Sequence, residues 1–473
     1  MASPEASAVQ AVEAVSLSPR TALLVAGAFF MENLDATVIV TALPQMAATF
    51  GVAAVDVNIG ITAYLLAMAV FIPASGWVAD RFGHRRVFCA ALLTFTVASL
   101  LCALSATLWQ FTAARVLQGI AGAMMVPVGR LSVLRHTDKA DLVRAIALLT
   151  WPGLMAPVIG PPLGGAIATY ASWQWIFLLN LPLGIVGFWL ATRLIPAFRV
   201  NDLRRFDGLG FVWSAVGFLS GLYALEALGH GGGSPARPLL GLALSIAALT
   251  LLYRHCVRRE APLLGLEVLR IRTLGVTMGG GLLFRAAVGA LPFLLPLLFQ
   301  LQFGYDAFQA GLLVLAVFAG NIGMKPLTGW VLRRWGFRQA LAGSGLVLLA
   351  SVIACGQISV DTPVPLVAAL LVISGMARSM GYTGYATLAF ADVPAAKMAT
   401  ANILFSMSHH VAVAIGVALT AVLLRLGEAW LGSASGGFKL AWVALAVLAL
   451  LSLLDLLRLP ADAGAQVARQ GRG

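Results

Sequence analysis

Charged residues are scarce in this chain of 473 residues: Asp, Glu, Lys and Arg together make up 11% of it, while hydrophobic residues make up 60%. A soluble domain has about 25% charged residues, so this composition argues against one. The mean hydropathy is +0.92. Apolar runs of roughly 20 residues, long enough to span a bilayer as a helix, follow one another along nearly the whole chain. The runs do not alternate between apolar and polar residues, which excludes a transmembrane β-barrel.

Acidic residues are also few: 19 Asp and Glu against 31 Lys and Arg give a formal net charge of +12. A strongly basic chain suggests a nucleic-acid partner, but here the basic residues are scattered over short loops between apolar runs. This distribution follows the positive-inside rule of membrane proteins and argues against a nucleic-acid patch.

Paired cysteines, phosphate-binding loops and sets of metal ligands are missing. The four cysteines, Cys89, Cys102, Cys256 and Cys355, lie in or beside apolar runs without paired spacing, as packing residues do. No Gly-x-x-x-x-Gly-Lys-Ser/Thr sequence is present. No nucleophile–base set or metal constellation is visible either. We therefore expect neither an enzyme nor a bound metal or cofactor.

The apolar runs predict fourteen transmembrane helices, so the expected fold class is an all-α integral membrane protein. The expected bounds are 21–42, 57–79, 87–106, 109–134, 144–169, 175–195, 207–228, 238–256, 274–301, 308–331, 338–358, 363–389, 402–425 and 437–457. The first residues contain no early Lys or Arg, so 1–20 is interpreted as an N-terminal tail rather than a cleaved signal peptide. A C-terminal tail is expected at 458–473.

The basic residues of the loops predict the orientation in the membrane. They concentrate in loops after even-numbered spans: Arg81, Arg85, Arg86, Arg135, Lys139, Arg199, Arg204, Arg205, Arg258, Arg259, Arg270, Arg272, Arg333, Arg334 and Lys397. The loops on the other side contain little beyond Arg237 and Lys439. Because positive charge concentrates on the cytoplasmic side, we expect both termini in the cytoplasm.

A short stretch rich in charge and glycine, Gly76–Arg86, returns in altered form at Gly329–Gln339. Six residues recur at a constant offset of 253: Gly76, Trp77, Val78, Arg81, Gly83 and Arg85 match Gly329, Trp330, Val331, Arg334, Gly336 and Arg338. Such a repeat predicts two related six-helix bundles, at 21–195 and 274–457. The intervening 196–273 is then a linker with two additional transmembrane helices.

Three charged residues lie well inside the predicted spans of the first bundle. Glu32 and Asp35 are three residues apart in span 1 and share one helix face, and Arg115 lies in span 4 at a similar depth. Charge inside a bilayer is costly, so it is typically paired or functional. A buried carboxylate near an Arg is suited to taking up and releasing a proton, and we expect a proton-coupling site here. The alternative is a static ion pair. Glu226, near an end of span 7, is interpreted as a solvated helix end.

The predicted spans of the second bundle contain basic residues, without an acidic residue to neutralise them. Arg285, Lys325 and Arg378 lie in spans 9, 10 and 12, and His409 and His410 lie in span 13. Cations that face a cavity favour an anionic substrate, so we predict that these residues bind substrate. Alternatively, Lys325 extends toward the cytoplasm and the histidines are a polar contact between helices.

Conformational gating is expected at two places. Span 5 is rich in glycine and proline, which predicts a bent and closely packed helix. In the Gly76–Arg86 loop, charged residues can pair across the bundle or cap a helix, and glycines permit close backbone approach. The alternative there is an ordinary polar turn. The expected gating residues are Gly76, Asp80, Arg81, Gly83, Arg85, Gly160, Pro161, Gly164 and Gly165.

These motifs resemble those of the major facilitator superfamily, and in particular its fourteen-span drug:proton antiporters of the EmrB/QacA type. Gly76–Arg86 is similar to the signature between spans 2 and 3, and Leu34–Pro44 to that of span 1. Arg115–Gly119 resembles the span 4 motif whose Arg is assigned to proton transfer. Ala156–Gly165 resembles the antiporter motif of span 5, with an Ala where the family usually has its first Gly.

Further segments extend the resemblance. Ser172–Phe177 with Asn180, and Phe206–Gly210 at the start of span 7, also fit the family, and Gln118–Leu131 is most similar to MdtD-type members. The resemblance implies rocker-switch alternating access, with Asp35 as the proton-linked acid, Arg115 as its partner, and Asp80 and Arg81 in a gating loop. Arg333 replaces the Asp in the second copy, so that loop is expected to be the weaker latch.

The predicted function is a proton-coupled efflux transporter of drugs or organic anions in a plasma membrane, specifically a bacterial inner membrane. The alternative is a proton-coupled uptake symporter of an organic anion with the same fold. The expected partners are a small-molecule substrate, protons and the lipid bilayer, with an accessory periplasmic efflux protein as a further one and no nucleic acid.

Overall fold

The computed structural model describes residues 19–135, 142–195, 206–229, 236–259, 262–394 and 397–460, and over these ranges the chain is helical without strands. Most of the two expected tails lies outside the described residues. So do residues 230–235 and four of the basic loop residues, Lys139, Arg199, Arg204 and Arg205.

Eight helices form what we call the first half: α1 (Pro19–Val38), α2 (Leu43–Phe50), α3 (Asn58–Phe82), α4 (His84–Ala103), α5 (Leu108–Arg135), α6 (Leu142–Tyr170), α7 (Gln174–Leu178) and α8 (Asn180–Leu194). A short 3-10 helix, Ile39–Thr41, extends α1. The short helix α2 was not predicted. It has a proline in its first turn and ends at Gly51, whose φ is 66°.

Two helices, α9 (Gly208–Gly229) and α10 (Ala236–Arg258), pack against each other and are called the inserted pair. Six helices form the second half: α11 (Arg272–Met278), α12 (Gly280–Leu297), α13 (Ala307–Cys355), α14 (Val364–Ala391), α15 (Met398–Leu431) and α16 (Ala434–Leu456). A 3-10 helix, Leu266–Arg270, precedes α11, and a π-helical turn, Leu298–Gln302, extends α12.

The helices fall where the sequence predicts spans. In the described part of the chain, 12 helices are long and apolar enough to cross a membrane. One of these is α13, which leaves helical geometry at Gly336 and covers two predicted spans. Helix α6 covers the predicted fifth span. The all-α membrane fold is therefore confirmed, and the count of fourteen spans and the side of the termini stay predictions consistent with it.

The predicted repeat has a counterpart in the backbone. Gly83, between α3 and α4, has a φ of 92°, and its equivalent in the repeat, Gly336, has a φ of 74°. Both values lie in the left-handed region that favours glycine. Both glycines stand where one predicted span ends and the next begins. We call the end of the molecule at Gly83 the motif end, and the end where α4 meets α5 the opposite end.

Two helix pairs join the halves: α3 packs against α15, and α6 packs against α13. The largest cluster of buried apolar residues crosses this junction, with Leu34 and Val38 of α1 and Leu291 and Leu294 of α12 among its members. The inserted pair lies on the flank of the junction, because α9 contacts both α3 and α15. Residues on α1, α3, α6, α13 and α15 are thus placed to sense movement between the halves.

Candidate functional site

Asp35 of α1 and Arg115 of α5 form a direct ion pair inside the first half. Arg115 Nη1 lies 2.5 Å from Asp35 Oδ2, and neither side chain is exposed. The sequence predicts this meeting from the similar depth of the two residues, and the structure brings them together. A buried ion pair is stable only when hydrogen bonds satisfy its remaining atoms. The neighbours of the pair therefore decide what it can do.

Three uncharged side chains bond to the pair, while Arg115 Nε and Nη2 have no hydrogen-bond partner among the described residues. Gln118 Nε2 and Asn180 Nδ2 both donate to Asp35 Oδ1, at 2.8 and 2.9 Å. Gln118 Oε1 accepts from Arg115 Nη1 at 2.6 Å. Ser99 Oγ accepts from Gln118 at 2.9 Å and from Asn180 at 3.2 Å. The Asp35 carboxylate is therefore held at the meeting point of α1, α4, α5 and α8.

Tyr64 of α3 and Glu32 of α1 close the site. The guanidinium carbon of Arg115 lies 4.2 Å from the centroid of the Tyr64 ring, a cation–π distance. Glu32 is buried, and its Oε2 has no hydrogen-bond partner among the described residues. That oxygen lies 3.3 Å from the point where a Cβ on Gly122 would sit. Glu32 therefore faces α5, as Asp35 does and as their three-residue spacing predicts.

The sequence named Asp35, Glu32 and Arg115 and missed the residues that complete the site. Gln118 and Asn180 stand within the segments that resemble the family, so a signal for them existed. Ser99 and Tyr64 are single polar residues in apolar runs. Such residues follow no local pattern, and only the packing of α3 and α4 on α5 brings them to the site.

Arg285 of α12 lies beside a break in the predicted ninth span. Helix α11 stops before Gly279, and the first N–H of α12 donates to Asp455 Oδ2 at 2.7 Å. Arg285 Nη2 donates to Thr277 O and to Ser408 Oγ, both at 3.1 Å. The side chain is 1% exposed, and its Nε and Nη1 have no hydrogen-bond partner in the described part of the chain. The guanidinium thus spans the break, and two of its three nitrogens have no partner among the described residues.

Arg378 of α14 is partly exposed and lies among aromatic rings. Its guanidinium carbon is 5.3 Å from the centroid of Phe318 and 5.6 Å from that of Tyr382. Nε and Nη1 are buried, without a hydrogen-bond partner among the described residues. The Tyr382 ring meets Phe284 at 5.5 Å and His409 at 5.9 Å between centroids. Tyr382 therefore links Arg378 to α12 and α15.

His409 and His410 lie next to Tyr382, and Lys325 contacts the residue that follows Tyr382. The rings of His409 and His410 are 5.3 Å apart. Lys325 is exposed, and its Nζ donates at 3.0 Å to Thr383 Oγ1, one residue beyond Tyr382. No carboxylate of the described residues forms a salt bridge with any of these basic side chains. We call the following residues the basic cluster: Arg285, Arg378, His409 and His410.

In the Gly76–Arg86 loop only Gly83 lies outside the helices, because α3 ends at Phe82 and α4 begins at His84. Gly83 ends α3, and its N–H donates to a carbonyl of the last helical turn at 2.9 Å. His84 Nε2 lies 3.8 Å from Asp80 Oδ1. Arg85 Nη2 donates to the carbonyl of Thr192 in α8, which ties the loop to the first half.

The structure also shows the surroundings of three further residues of this loop and its second copy, Gly76, Arg81 and Arg333. A Cβ on Gly76 would have no described atom within 4 Å, so the expected close backbone approach at Gly76 is wrong for this conformation. Arg81 is exposed, and so is Arg333, which stands in the second copy where the first has its Asp.

The glycines of α6 allow close packing, as predicted. A Cβ on Gly160 would collide with Thr37 Oγ1, and one on Gly164 would collide with Val38 O. Both contacts press α6 against α1, the helix that carries Asp35.

Helix α6 also contacts the second half, at the opposite end of the molecule. A Cβ on Gly165 would collide with Ala307 O at the start of α13. In return, a Cβ on Gly311 would collide with Pro161 O. The predicted gating residues of span 5 therefore lie on both faces of α6, one toward α1 and the other toward the second half.

Arg425 of α15 joins both halves to the inserted pair. Its Nε lies 2.9 Å from Asp56 Oδ1, and its Nη1 lies 3.0 Å from Glu226 Oε2. Asn58 Nδ2 donates to Glu226 Oε1 at 3.3 Å. Glu226 is 8% exposed, so its interpretation as a solvated helix end is wrong. The sequence missed this cluster because its members lie in three distant segments.

Asp207 fixes the inserted pair at the motif end. Asp207 Oδ1 accepts from the Gly210 N–H at 3.1 Å. The same oxygen lies 2.7 Å from His255 Nε2 and 3.3 Å from Arg259 Nη1. The other oxygen, Oδ2, accepts from the Leu263 N–H at 2.9 Å. The residue precedes the span of α9. Burial raises the pKa of this carboxyl, but the hydrogen bonds from Leu263, His255 and Gly210 outweigh burial, so the pKa is lowered.

A cavity of about 1180 Å³ opens beside Asp207. Its lining comes from α3, α10, the Leu266–Arg270 helix and the start of α15, and includes Trp77, Asp80, Tyr253 and Thr400. The motif loop, the inserted pair and the second half thus share one cavity at the motif end.

The model of the Major Facilitator Superfamily matches residues 25–417 of this chain. The chain is 37% identical over 445 residues to "Putative multidrug resistance protein MdtD" of Salmonella newport (strain SL254), covering 93% of this chain and 94% of that protein. Among solved structures, it is similar to an auto-inhibited POT family peptide transporter, with a TM-score of 0.67, 17% identity and coverage of 93% and 97%. It is also similar to the xylose transporter XylE from E. coli, with a TM-score of 0.62, 12% identity and coverage of 92% and 96%.

The helices and the structural neighbours define a multi-pass membrane protein with a transporter fold. The chain belongs to the Major Facilitator Superfamily, and its similarity to MdtD confirms the family resemblance seen in the sequence. A multi-pass location in the plasma membrane, the inner membrane of a bacterium, follows from this membership.

Proposed function

We propose that this protein exports small molecules, drugs or organic anions, in exchange for protons, by alternating access. The observation that carries the proposal is that each donor to Asp35 has a second partner. Arg115 Nη1 also donates to Gln118 Oε1, and the amides of Gln118 and Asn180 also donate to Ser99. When Asp35 takes up a proton, these donors keep a hydrogen bond, so the buried site can exist in both protonation states.

Protonation of Asp35 removes one charge of the buried pair and weakens the attraction between α1 and α5. Helix α1 is pressed against α6 at Gly160 and Gly164, and α6 meets α13 at Gly165. A movement of α1 is therefore passed through close backbone contacts to the junction between the halves. Glu32 is a second place where a proton can bind, because its Oε2 has no hydrogen-bond partner among the described residues.

Alternating access requires that the halves separate at one end while they close at the other. At the opposite end, α6 touches Ala307 and Arg425 pairs with Asp56 and Glu226. These contacts hold that end closed, and opening it breaks them. At the motif end we assign the latch to the loop of the first half, because Asp80 lines a shared cavity with α15 while Arg333 is exposed.

The substrate site lies in the second half, at the five basic residues that the sequence predicts: Arg285, Lys325, Arg378, His409 and His410. Similarity to proteins named for multidrug resistance favours drugs as substrates. The unpaired guanidinium groups favour organic anions. An accessory periplasmic protein stays a prediction, which co-purification from native membranes tests.

The function is tested by the relative direction of proton and substrate movement. Purified protein is placed in liposomes that contain a pH-sensitive dye, and a substrate gradient is imposed without a pH gradient. An antiporter moves protons against the direction of substrate flow. Protons that follow the substrate would establish the uptake symporter instead, and protons that do not move would remove proton coupling altogether. Liposomes without protein give the passive leak.

A further inference from the structure

We infer that the basic cluster binds the carboxylate of a planar aromatic anion. The inference rests on the proposed transport function, because the ligand it names is the substrate class that would be carried. It concerns the second half alone and uses none of the residues of the Asp35 site.

The first argument is a missing counter-charge. Arg285 is 1% exposed, and two of its nitrogens have no hydrogen-bond partner among the described residues. The same two positions, Nε and Nη1, are buried and free on Arg378. A buried charge without a partner is strongly unfavourable. A ligand carboxylate would supply the missing negative charge, and each of its oxygens can accept a hydrogen bond from one of these free nitrogens.

The acidic residues described for the second half do not fill this role. Asp306 caps α13, and Asp455 accepts from the first N–H of α12. Asp361, Asp392 and Glu428 are exposed. No acidic residue described for the second half therefore neutralises the two arginines, and a ligand carboxylate would do so.

The second argument is position. The cluster and its ring neighbours lie on α12, α13, α14 and α15, and two of these helices, α13 and α15, pack against the first half. Arg378, Tyr382, His409 and His410 are partly exposed, so a ligand between the halves can reach them. Arg285 lies behind them, at the break between α11 and α12, where discontinuous transport helices typically hold substrate.

The third argument concerns shape. Phe318 and Tyr382 flank the Arg378 guanidinium at 5.3 and 5.6 Å, and Phe405 lies 5.0 Å from that of Arg285. Phe284 contacts the edge of the Tyr382 ring. A flat apolar body finds ring faces here, while its carboxylate meets the guanidinium groups. An ammonium-bearing ligand of the same shape would be repelled by both arginines.

Binding is tested with three probes that share one ring system: 1-naphthoate, 1-naphthamide and 1-naphthylmethylammonium. Calorimetry on the purified protein gives the three affinities. Naphthoate is expected to bind most tightly, and Arg378→Gln should weaken it by about 10- to 100-fold, the loss of a charged hydrogen bond. Arg378→Lys, which keeps the charge and loses the planar guanidinium group with its separate nitrogens, should lie in between. Lys439→Gln, a change at an exposed residue, is the control and should bind as the native protein does.

A second variant separates ligand binding from a structural role. Arg285→Met removes the buried guanidinium, so naphthoate binding should fall, while thermal unfolding shows that the variant is folded. A purely structural Arg285 predicts a native affinity for naphthoate in the folded variant. An equal or tighter affinity for the ammonium probe, or unchanged naphthoate binding in both Arg378→Gln and Arg285→Met, would overturn the inference.

The charge carried per cycle gives an independent test. Exchange of one monovalent anion for one proton moves two positive charges inward, whereas exchange of a monovalent cation for a proton moves none. An inside-negative potential, set with potassium and valinomycin, should therefore speed naphthoate export, and a rate that ignores the potential would contradict the inference. If naphthoate binding depends on Arg378 but transport moves no protons, only the proposed antiport would be refuted. Proton-coupled export of the ammonium probe, with no naphthoate binding, would refute only the anion site.

Discussion

Arg115 Nη1 lies 2.5 Å from Asp35 Oδ2, and both side chains are fully buried from solvent. The pair is not isolated, because Gln118 bonds both members, accepting from the guanidinium and donating to the carboxylate. An uncharged residue thus links the two charges and remains bonded when one of them is neutralised. This arrangement suits a site that changes its charge during each cycle better than a static pair.

Gln118→Leu should slow proton-coupled transport. The substitution removes one donor to Asp35 and one acceptor for Arg115, so the buried pair is held less firmly. The free energy of unfolding should fall by about 1–3 kcal/mol, because Arg115 and Ser99 each lose a buried partner. Export driven by a pH gradient and downhill substrate exchange are measured in liposomes, with Gln357→Leu at an exposed site as the control. An equal loss of both rates would show that Gln118 is only structural.

Arg425→Gln should open the opposite end. The substitution leaves Asp56 and Glu226 without their shared cation, so a contact that joins the halves and the inserted pair is lost. Spin labels on Ala106→Cys and Val360→Cys, in exposed loops of the two halves, report the separation. The four native cysteines are buried, which allows selective labelling.

In Arg425→Gln the population with a longer label distance should grow. Lys439→Gln changes an exposed cation and should leave the distances unaltered. Identical distance distributions in the native protein and Arg425→Gln would contradict a gating role for the Arg425 cluster.

Gly165→Ala should have the same effect by a steric route. A methyl group at this position collides with Ala307 O, so α6 and α13 must move apart. Gly27→Ala is the matched control, because a Cβ there meets no described atom within 4 Å. That variant should gain about 0.5–1 kcal/mol from helix propensity and keep its label distances. If Gly165→Ala also left the distances unchanged, the contact would not hold the opposite end closed.

Asp207→Asn should loosen the inserted pair in a way that depends on pH. The native carboxyl has a lowered pKa, so its contribution to stability is present above the normal value of about 3.9 and is lost as the pH falls through the lowered value. Thermal unfolding in detergent should therefore show a destabilised variant throughout pH 5–8, and the two proteins should converge in stronger acid. Equal melting temperatures at pH 7 would show that the hydrogen bonds of Asp207 do not stabilise the fold.

Much of the fold could be predicted from the sequence, because long apolar runs and loop charges are local features. The bounds of α3 and α14, for instance, lie within three residues of the predicted spans. Gly83 and Gly336, which are equivalent in the predicted repeat, both have a positive φ. One short break was missed although a local signal for it existed. The interruption at Gly279 lies in a run of three glycines, Gly279–Gly281, which disfavours a helix, and Asp455 accepts from the Gly280 N–H beyond it.

Some residues of the candidate site could be predicted from local features of the sequence, and others could not. Asp35 and Arg115 were predictable because a charge inside an apolar run stands out. Ser99 and Tyr64 were not, because one polar residue in a membrane helix is common. The wrong interpretation of Glu226 has a related cause: its partner Arg425 is 199 residues away in the chain. Partners at such a distance become visible only when the helices are packed.

The central claim is that Asp35 carries the proton, and one measurement tests it most directly. Native protein, Asp35→Asn and the exposed control Asp361→Asn are placed in liposomes, and substrate export is driven by an imposed pH gradient. Downhill exchange of labelled for unlabelled substrate, without a gradient, reports a folded and mobile transporter. We predict that Asp35→Asn retains the exchange and loses the export driven by the pH gradient, while Asp361→Asn retains both. Undiminished pH-driven export by Asp35→Asn would contradict the claim.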